Sequence, residues 1–258
     1  MQMSTKVSVG DVLAFRIIDD IYYVGNGWVS SHLITSEKGH VLIDTCMPET
    51  GSSILKAITS LGFRPRDVRY ILTSHAHIDH LGSTKMLAEE TGARICVGEA
   101  DVEAAEKGST TRAGLTGFTP FKVNMPLREG DVIVVGSKEI HVYHTPGHTP
   151  GCCSFGLKIE HESRKYNVFL FGGAGLNVFE EENLRKNIYG GTVQDLARTV
   201  DRLETLNVDI WLGNHPNQNN TFAKQELLAK GATPNPYIDP QGWKAFLKGL
   251  KDSLRELQ

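Results

Sequence analysis

The chain has 258 residues, of which 40% are hydrophobic and 22% are charged, so it can bury a core without disulfide bonds. This composition excludes a chain that is disordered throughout. The 27 Lys and Arg against 30 Asp and Glu give a net charge of -3, which offers no basic surplus for nucleic-acid binding.

The hydrophobic pattern of the first half predicts short strands followed by helices. Alternating apolar residues mark the strands, with tight turns at Asp19-Asp20 and Lys38-Gly39. Apolar residues three and four positions apart mark the helices, and Gly62 ends the first of them. Strands are predicted at residues 12–18, 21–24, 31–35, 40–43, 70–72 and 95–97, and helices at 52–61, 84–90 and 99–107.

A segment whose apolar residues show no clear period separates the two halves of the chain. Residues 108–120 are rich in Gly, Thr and Pro, which predicts a long loop. Loops of this length often act as lids over functional sites.

The second half repeats the order of strands and helices. Strands are predicted at residues 132–135, 139–144, 152–159, 168–171 and 209–212, and helices at 193–206, 222–230 and 242–257. This repetition indicates two sheets packed together, with helices outside. No segment has the composition of a linker, so we expect a single domain over residues 1–258.

The cysteines and the N-terminal sequence indicate the cellular compartment of the protein. Cys46, Cys96, Cys152 and Cys153 do not form the spacing of a disulfide framework, which favours reduced thiols in a reducing compartment. No apolar run approaches the roughly 20 residues of a membrane span. No signal peptide is visible. We therefore expect a cytoplasmic protein without a membrane partner, or a periplasmic or secreted one if a leader was removed.

The segment Thr73-Ser74-His75-Ala76-His77-Ile78-Asp79-His80 lies between a predicted strand and a predicted helix. In an extended chain, His75, His77 and Asp79 share one face, and His80 lies on the other. This short loop could therefore supply ligands to two neighbouring metal positions. Imidazole nitrogen and carboxylate oxygen are good ligands for zinc.

Two further histidines follow predicted strands. His148 lies in the turn G-H-T-P-G, and His215 lies in G-N-H-P. Loops at strand ends are common places for binding sites. A single loop histidine is usually solvated, but together with the central motif these two predict the remaining metal ligands.

The order H-x-H-x-D-H, then G-H-T-P-G, then a late histidine after a strand, resembles the metallo-β-lactamase superfamily. The resemblance implies an α+β fold, a four-layer αββα sandwich with two zinc ions at one edge. It assigns His75, His77 and His148 to the first zinc, and Asp79, His80 and His215 to the second. It also implies that Asp44, at a strand end, supports the loop that carries His75 and His77. The alternative for Asp44 is an aspartate that caps a turn.

The chain departs from one common pattern of this superfamily. Hydroxyacylglutathione hydrolases and lactonases carry a bridging aspartate in a strand-end motif, where this chain has F-G-G-A-G-L-N over residues 171–177. Ala174 or Gly175 takes that place, and neither can bind a metal. One subclass of true metallo-β-lactamases uses a cysteine for the second zinc, whereas the third subclass uses Asp-His-His. This donor set and the tail at residues 235–243 resemble the third subclass.

The resemblance implies a dinuclear zinc hydrolase, in which zinc-bound hydroxide attacks a carbonyl of a small-molecule substrate. Asp79 would both bind the second zinc and orient the hydroxide. A β-lactamase-like activity on an amide or lactam bond is the leading interpretation. The alternatives are hydrolysis of a lactone, ester or thioester, and an iron-dependent redox activity. Without a bridging carboxylate, the second zinc is predicted to bind more weakly.

Substrate contacts are predicted at three positions. Trp28 could stack on substrate or serve as a structural residue. Asn177 could donate a hydrogen bond to substrate. Phe118, with Leu115, could form an apolar lid or anchor the long loop. Residues 217–220 are expected to form a solvated turn.

Overall fold

A computed structural model describes residues 12–109, 117–185 and 190–257. Seven strands form the first sheet and follow one another across it in chain order. The first four are antiparallel neighbours, whereas the fourth to seventh run parallel. They are β1 (Phe15–Ile18), β2 (Ile21–Tyr23), β3 (His32–Ser36), β4 (Gly39–Ile43), β5 (Val68–Leu72), β6 (Arg94–Gly98) and β7 (Met125–Leu127).

Five strands form the second sheet. They are β8 (Val132–Val135), β9 (Lys138–His144), β10 (Cys153–His161), β11 (Arg164–Phe171) and β12 (Ile210–Gly213). β8 to β11 form an antiparallel meander, and β12 lies beside β11 in the parallel direction. A parallel neighbour requires a long crossover, and helices occupy the connection between these two strands.

Helices pack against the outer face of each sheet. The α-helices in the described ranges are α1 (Gly51–Ser60), α2 (Ile78–Leu81), α3 (Thr84–Thr91), α4 (Val102–Lys107), α5 (Glu181–Arg185), α6 (Val193–Leu203), α7 (Thr221–Ala229) and α8 (Pro240–Glu256). Ile54 and Ile58 of α1 pack on the first sheet. Leu196 of α6 and Trp243 of α8 pack on the second. None of the helices in the described ranges is long and apolar enough to cross a membrane.

The central core lies between the two sheets. It joins Ile34 and Leu72 of the first sheet to Phe155 and Leu170 of the second. With helices on both outer faces, the order of layers is helix, sheet, sheet, helix. The expected α+β fold, a four-layer αββα sandwich, is therefore confirmed.

The predicted elements are present with end shifts of a few residues, and the differences concern short elements. α2, β7 and α5 were not predicted, because each has only three to five residues. The helix predicted at 99–107 begins as a 3₁₀ turn, and the α-helix starts only at Val102. Elements this short span less than two periods of a helix or strand pattern.

The topology brings three chain segments to one edge of the sandwich. β4, β5 and β6 run parallel, so their carboxyl ends lie side by side. Asp44 follows β4, and the histidine-rich segment follows β5. β12 of the second sheet ends just before His215. Most of the polar residues singled out from the sequence therefore converge at this edge.

The start of α6 allows a first test of the fold. The Thr192 hydroxyl accepts a hydrogen bond from the Asp195 backbone N–H at 3.0 Å and so caps the helix. We expect Thr192→Ala to lower the free energy of unfolding by about 1 kcal/mol, measured by urea denaturation. Thr192→Ser keeps the hydroxyl and should lose much less. Equal losses in both variants would contradict the capping role.

Candidate metal centre

Residues 73–77, here named the metal loop, join β5 to α2. The Thr73 N–H donates to the Cys96 carbonyl at 3.0 Å, and the Ser74 carbonyl accepts from the Cys153 N–H at 2.8 Å. These bonds connect the loop to β6 of the first sheet and β10 of the second. The loop is thus fixed where the two sheets meet, before it presents its two histidines.

The first donor group consists of His75, His77 and His148. One ligand atom from each lies within 4.8 Å of the others. His148 Nε2 is 3.0 Å from His77 Nδ1. His75 Nε2 is buried and has no hydrogen-bond partner in the described part of the chain. A buried nitrogen of this kind requires a partner, and a metal ion between the three imidazoles would supply it.

The second donor group consists of Asp79, His80 and His215, again with ligand atoms within 4.8 Å of one another. The Asp79 Oδ2 atom is 3.5 Å from His80 Nε2 and 3.7 Å from His215 Nε2. Asp79 and His80 are buried, and both lie in α2. One carboxylate and two imidazoles are also a typical donor set for zinc.

Backbone carbonyls orient two of the ligand histidines. His148 Nδ1 lies 2.6 Å from the Gly175 carbonyl, and His215 Nδ1 lies 2.7 Å from the Trp28 carbonyl. A carbonyl only accepts, so each Nδ1 carries the proton and each Nε2 keeps a lone pair. Both Nε2 atoms therefore face their donor groups in the form that binds a metal.

Asp44 holds the metal loop and α2 together. Its Oδ1 accepts from the Ser74 backbone N–H at 2.7 Å, and its Oδ2 accepts from the Ser74 hydroxyl at 2.8 Å. His80 Nδ1 is 2.8 Å from the same Oδ2. The backbone of Asp44 has a φ of 60°, in the left-handed region that aspartate tolerates better than most residues. Asp44 thus contacts the metal loop and His80 of the second donor group, and its support of a metal site stays a prediction.

Burial keeps three of the donor histidines neutral near pH 7. It lowers the pKa of His148 and His215 to about 4, and neighbouring imidazoles add to the effect. Burial also lowers the pKa of His75 well below its ordinary value, and the adjacent His80 lowers it further. Neutral imidazole is the form that binds zinc. The donor atoms, their convergence and their protonation therefore fit two zinc ions.

A cavity of about 300 Å³ opens onto both donor groups. Besides the ligands, it is lined by Trp28, Gly175, Asn177, Asn214, Asn217 and Gln218. Trp28 and Asn177 therefore lie where a substrate could contact them. Asn214, Asn217 and Gln218 were missed, because nothing in the sequence distinguishes a pocket amide from one in a surface turn.

The structure does not bring Phe118 to this cavity. Its side chain is 6% exposed and packs against Phe121, with ring centroids 5.9 Å apart. This position corrects the expectation of a substrate contact, since the apolar ring is more stable in the core. Leu115 lies outside the described residues.

The expected solvated turn at residues 217–220 is wrong in part. Asn219 is 1% exposed, and its side-chain amide donates to the Trp211 carbonyl at 3.2 Å. Asn217 lines the cavity. The side chains of this turn are polar because the Asn219 amide binds a backbone carbonyl and Asn217 faces the cavity.

The same-face argument holds for His75 and His77 but not for Asp79. α2 begins at Ile78, so the extended conformation ends before Asp79 is reached. The helical turn instead places Asp79 beside His80. The grouping implied by the family resemblance is therefore the one observed.

The profile of the metallo-beta-lactamase superfamily matches residues 24–162, more than half of the chain. The chain belongs to the metallo-beta-lactamase superfamily. Its fold and two donor groups are those of a metallohydrolase of this superfamily.

Solved structures with the same fold cover nearly the whole chain. BJP-1, a subclass B3 metallo-beta-lactamase of Bradyrhizobium japonicum, is 30% identical, with a TM-score of 0.87 and coverage of 98% of this chain and 96% of its own. LRA-12, a class B3 di-zinc metallo-beta-lactamase from an Alaskan soil metagenome, is 28% identical, with a TM-score of 0.82 and coverage of 94% and 93%.

Curated relatives of this metallo-beta-lactamase superfamily member match over shorter segments. An N-acyl homoserine lactonase from a Bacillus species is 29% identical over 152 residues, which cover 50% of this chain and 58% of the relative. The chain spans about half of the length of the first curated relatives that it matches.

His32 allows a test of stability against pH. It is fully buried beside the site, and desolvation lowers its pKa to about 4 although the Asp44 charge opposes the shift. Below about pH 6.5 the unfolded chain binds a proton that the folded protein does not. Hence the contribution of His32 to the free energy of unfolding falls as the pH drops from about 6.5 to about 4 and then levels off.

Between pH 7 and pH 4 the protein loses unfolding free energy, and we expect His32→Gln to reduce that loss by about 3 kcal/mol. This is the free energy that corresponds to the difference between the ordinary pKa of 6.5 and the pKa of about 4 in the folded protein. Urea unfolding of both proteins at matched pH values measures it. The other buried histidines contribute equally to both, so they cancel in the difference. Parallel curves for the two proteins would contradict the assignment.

Proposed function

We propose that the protein is a dinuclear zinc hydrolase that opens the amide bond of a β-lactam ring. The observation that carries this proposal is the donor set of two separate groups of three ligands, with no aspartate or cysteine shared between them in the described ranges. By the resemblance drawn from the sequence, this set is typical of third-subclass metallo-β-lactamases. The likeness to BJP-1 over 98% of the chain supports the same assignment.

The segment where related hydrolases carry the bridging aspartate serves another purpose here. The Gly175 carbonyl accepts from His148 Nδ1 at 2.6 Å. A Cβ atom built on Gly175 would lie 3.1 Å from the His148 ring, so a side chain at this position would crowd the ligand. This segment thus orients a first-site ligand through its backbone, which supports a site without a bridging carboxylate.

Zinc, when bound, supplies Lewis acidity that activates water and polarises a carbonyl. Asp79 would hold the second zinc through one carboxylate oxygen and accept a hydrogen bond from the attacking water through the other. That hydrogen bond would orient the water toward the substrate carbonyl carbon. Burial lowers the pKa of His148 and His215 to about 4, so both imidazoles are neutral near pH 7 and neither can act as a general acid there.

The cavity supplies neutral hydrogen-bonding groups for the substrate. Asn177, Asn214 and Gln218 carry amides that can donate to a carbonyl oxygen or accept from an amide N–H. The Trp28 ring lies beside His215, with centroids 5.9 Å apart, and offers an apolar wall. This mixture suits a small cyclic amide that carries polar substituents.

Hydrolysis of a lactone is the second candidate. The observation that favours it is the match to an N-acyl homoserine lactonase, 29% identical over 152 residues. Both reactions use attack on a ring carbonyl and differ in the leaving atom, which is nitrogen in a lactam and oxygen in a lactone.

A chromogenic cephalosporin and an N-acyl homoserine lactone, offered to the same zinc-loaded preparation, decide between the two. Turnover of the cephalosporin that is abolished by a chelator and restored by zinc supports the proposal. Faster turnover of the lactone would transfer the assignment to the second candidate. A preparation that binds two zinc ions and hydrolyses neither would refute both substrate classes while leaving the metal centre intact.

A further inference from the structure

Asp101 is a buried carboxylate that no motif in the sequence singles out. It ends the 3₁₀ turn before α4, and the residue is 4% exposed. It accepts three hydrogen bonds. Its Oδ2 accepts from the Ala76 N–H at 2.9 Å and from the Thr149 hydroxyl at 2.6 Å, and its Oδ1 accepts from the Gly151 N–H at 2.9 Å.

The three donors belong to the two loops that carry the first donor group. Ala76 lies between His75 and His77 in the metal loop, and Thr149 directly follows His148. The sheets bring these loops together from positions more than 70 residues apart in the chain. A single carboxylate therefore joins the backbone segments that present all three ligands of the first site.

Close backbone packing leaves this carboxylate little freedom. A Cβ atom built on Gly151 would lie 2.5 Å from the Asp101 Cγ atom. A Cβ atom built on Gly98 would lie only 1.8 Å from the Gly151 carbonyl oxygen. Glycine at both positions lets the turn after His148 approach the Asp101 side chain closely.

Asp44 provides the comparison. It binds the N–H of Ser74, on one side of His75, and also His80 of the second group. Asp101 binds the N–H of Ala76, on the other side of His75. Each carboxylate thus holds the backbone on one side of His75. Their other contacts differ, because Asp44 also contacts the second donor group and Asp101 also contacts the turn after His148.

We propose that Asp101 is a positioning residue for the first metal site, as Asp44 is for the second. Its charge-assisted hydrogen bonds hold the metal loop and the turn after His148 at the separation that three imidazoles need around one ion. The proposal concerns metal binding and does not depend on which substrate is hydrolysed.

The test measures each site separately in the full chain. His215→Ala removes a ligand of the second site, so the single remaining high-affinity ion reports on the first site. His148→Ala removes a ligand of the first site, so the remaining ion reports on the second site. Asp101→Asn and Asp44→Asn are each introduced into both backgrounds, and the dissociation constant for Co²⁺ is measured by chelator competition together with its absorption spectrum.

We expect Asp101→Asn to weaken Co²⁺ binding about 10- to 100-fold in the His215→Ala background and to change the spectrum there. In the His148→Ala background its effect should be clearly smaller. Asp44→Asn should show the opposite preference. Equal weakening of both sites by Asp101→Asn, or no weakening of the first, would overturn the proposal.

Thr149→Val provides a milder variant in case Asp101→Asn does not fold. It removes one of the three donors and keeps the volume of the side chain. The proposal requires weaker Co²⁺ binding at the first site with a changed spectrum, whereas a purely structural role would lower only the unfolding temperature. Unchanged first-site affinity in Thr149→Val would count against Asp101 as a positioning residue.

Discussion

Replacing Asp79 with asparagine should lower the turnover number of the zinc-loaded protein by about a thousandfold, or about 4 kcal/mol in activation free energy. The Asp79 Oδ2 atom lies 3.5 Å from His80 Nε2 and 3.7 Å from His215 Nε2, so it belongs to the second donor group. Asparagine has nearly the same shape but is neutral. It would weaken the second zinc site and accept a hydrogen bond from water less strongly.

The measurement is the steady-state rate on whichever substrate the zinc-loaded protein hydrolyses, at saturating zinc. Asp252→Asn is the matched control, because Asp252 is a carboxylate on α8 that pairs with Lys248 and Arg255 on the surface. Its rate should stay within about twofold of the unmodified protein, as expected for a surface ion pair. Turnover of Asp79→Asn close to that of the control would exclude Asp79 from the reaction.

Replacing Asp44 with asparagine should weaken binding at the second site by about 10- to 100-fold, as removal of groups that orient metal ligands usually does. The change also leaves buried donors on Ser74 and His80 poorly paired, which should cost about 2–4 kcal/mol of unfolding free energy in the metal-free protein. Asparagine is chosen because it tolerates the left-handed backbone at this position.

Metal titration and urea unfolding of the same preparation separate the two effects. If Asp44 only capped a turn, which is the alternative that the sequence leaves open, stability would fall while metal affinity stayed unchanged. A loss of both, with the second site affected more than the first, is the result that the contacts predict.

The candidate metal ligands could be read from the sequence because they are chemically unusual and closely spaced. Three histidines and an aspartate within six positions are far more typical of a metal site than of a surface loop, and His148 and His215 follow recognisable strands. The long strands and helices were also predictable, because alternation and helical spacing repeat over enough residues to be distinguished.

The arrangement of those residues was decided by the tertiary structure. The start of α2 at Ile78 separated Asp79 from His75 and His77, since one helical turn replaced the extended path. Phe118 entered the core rather than the cavity. Neither outcome follows from local spacing, because each depends on where the chain turns.

The hydrogen bonds that hold the donor loops together depend on the fold even more than the positions of Asp79 and Phe118 do. Asp101, Ala76 and Thr149 come from three segments, and only the stacking of the two sheets places them within hydrogen-bonding distance. Sequence by itself determined which side chains can bind zinc and which segments form strands and helices. The tertiary structure decided which donor side chains converge and which buried carboxylates contact their loops, because those contacts join segments whose separation in space is set by sheet packing.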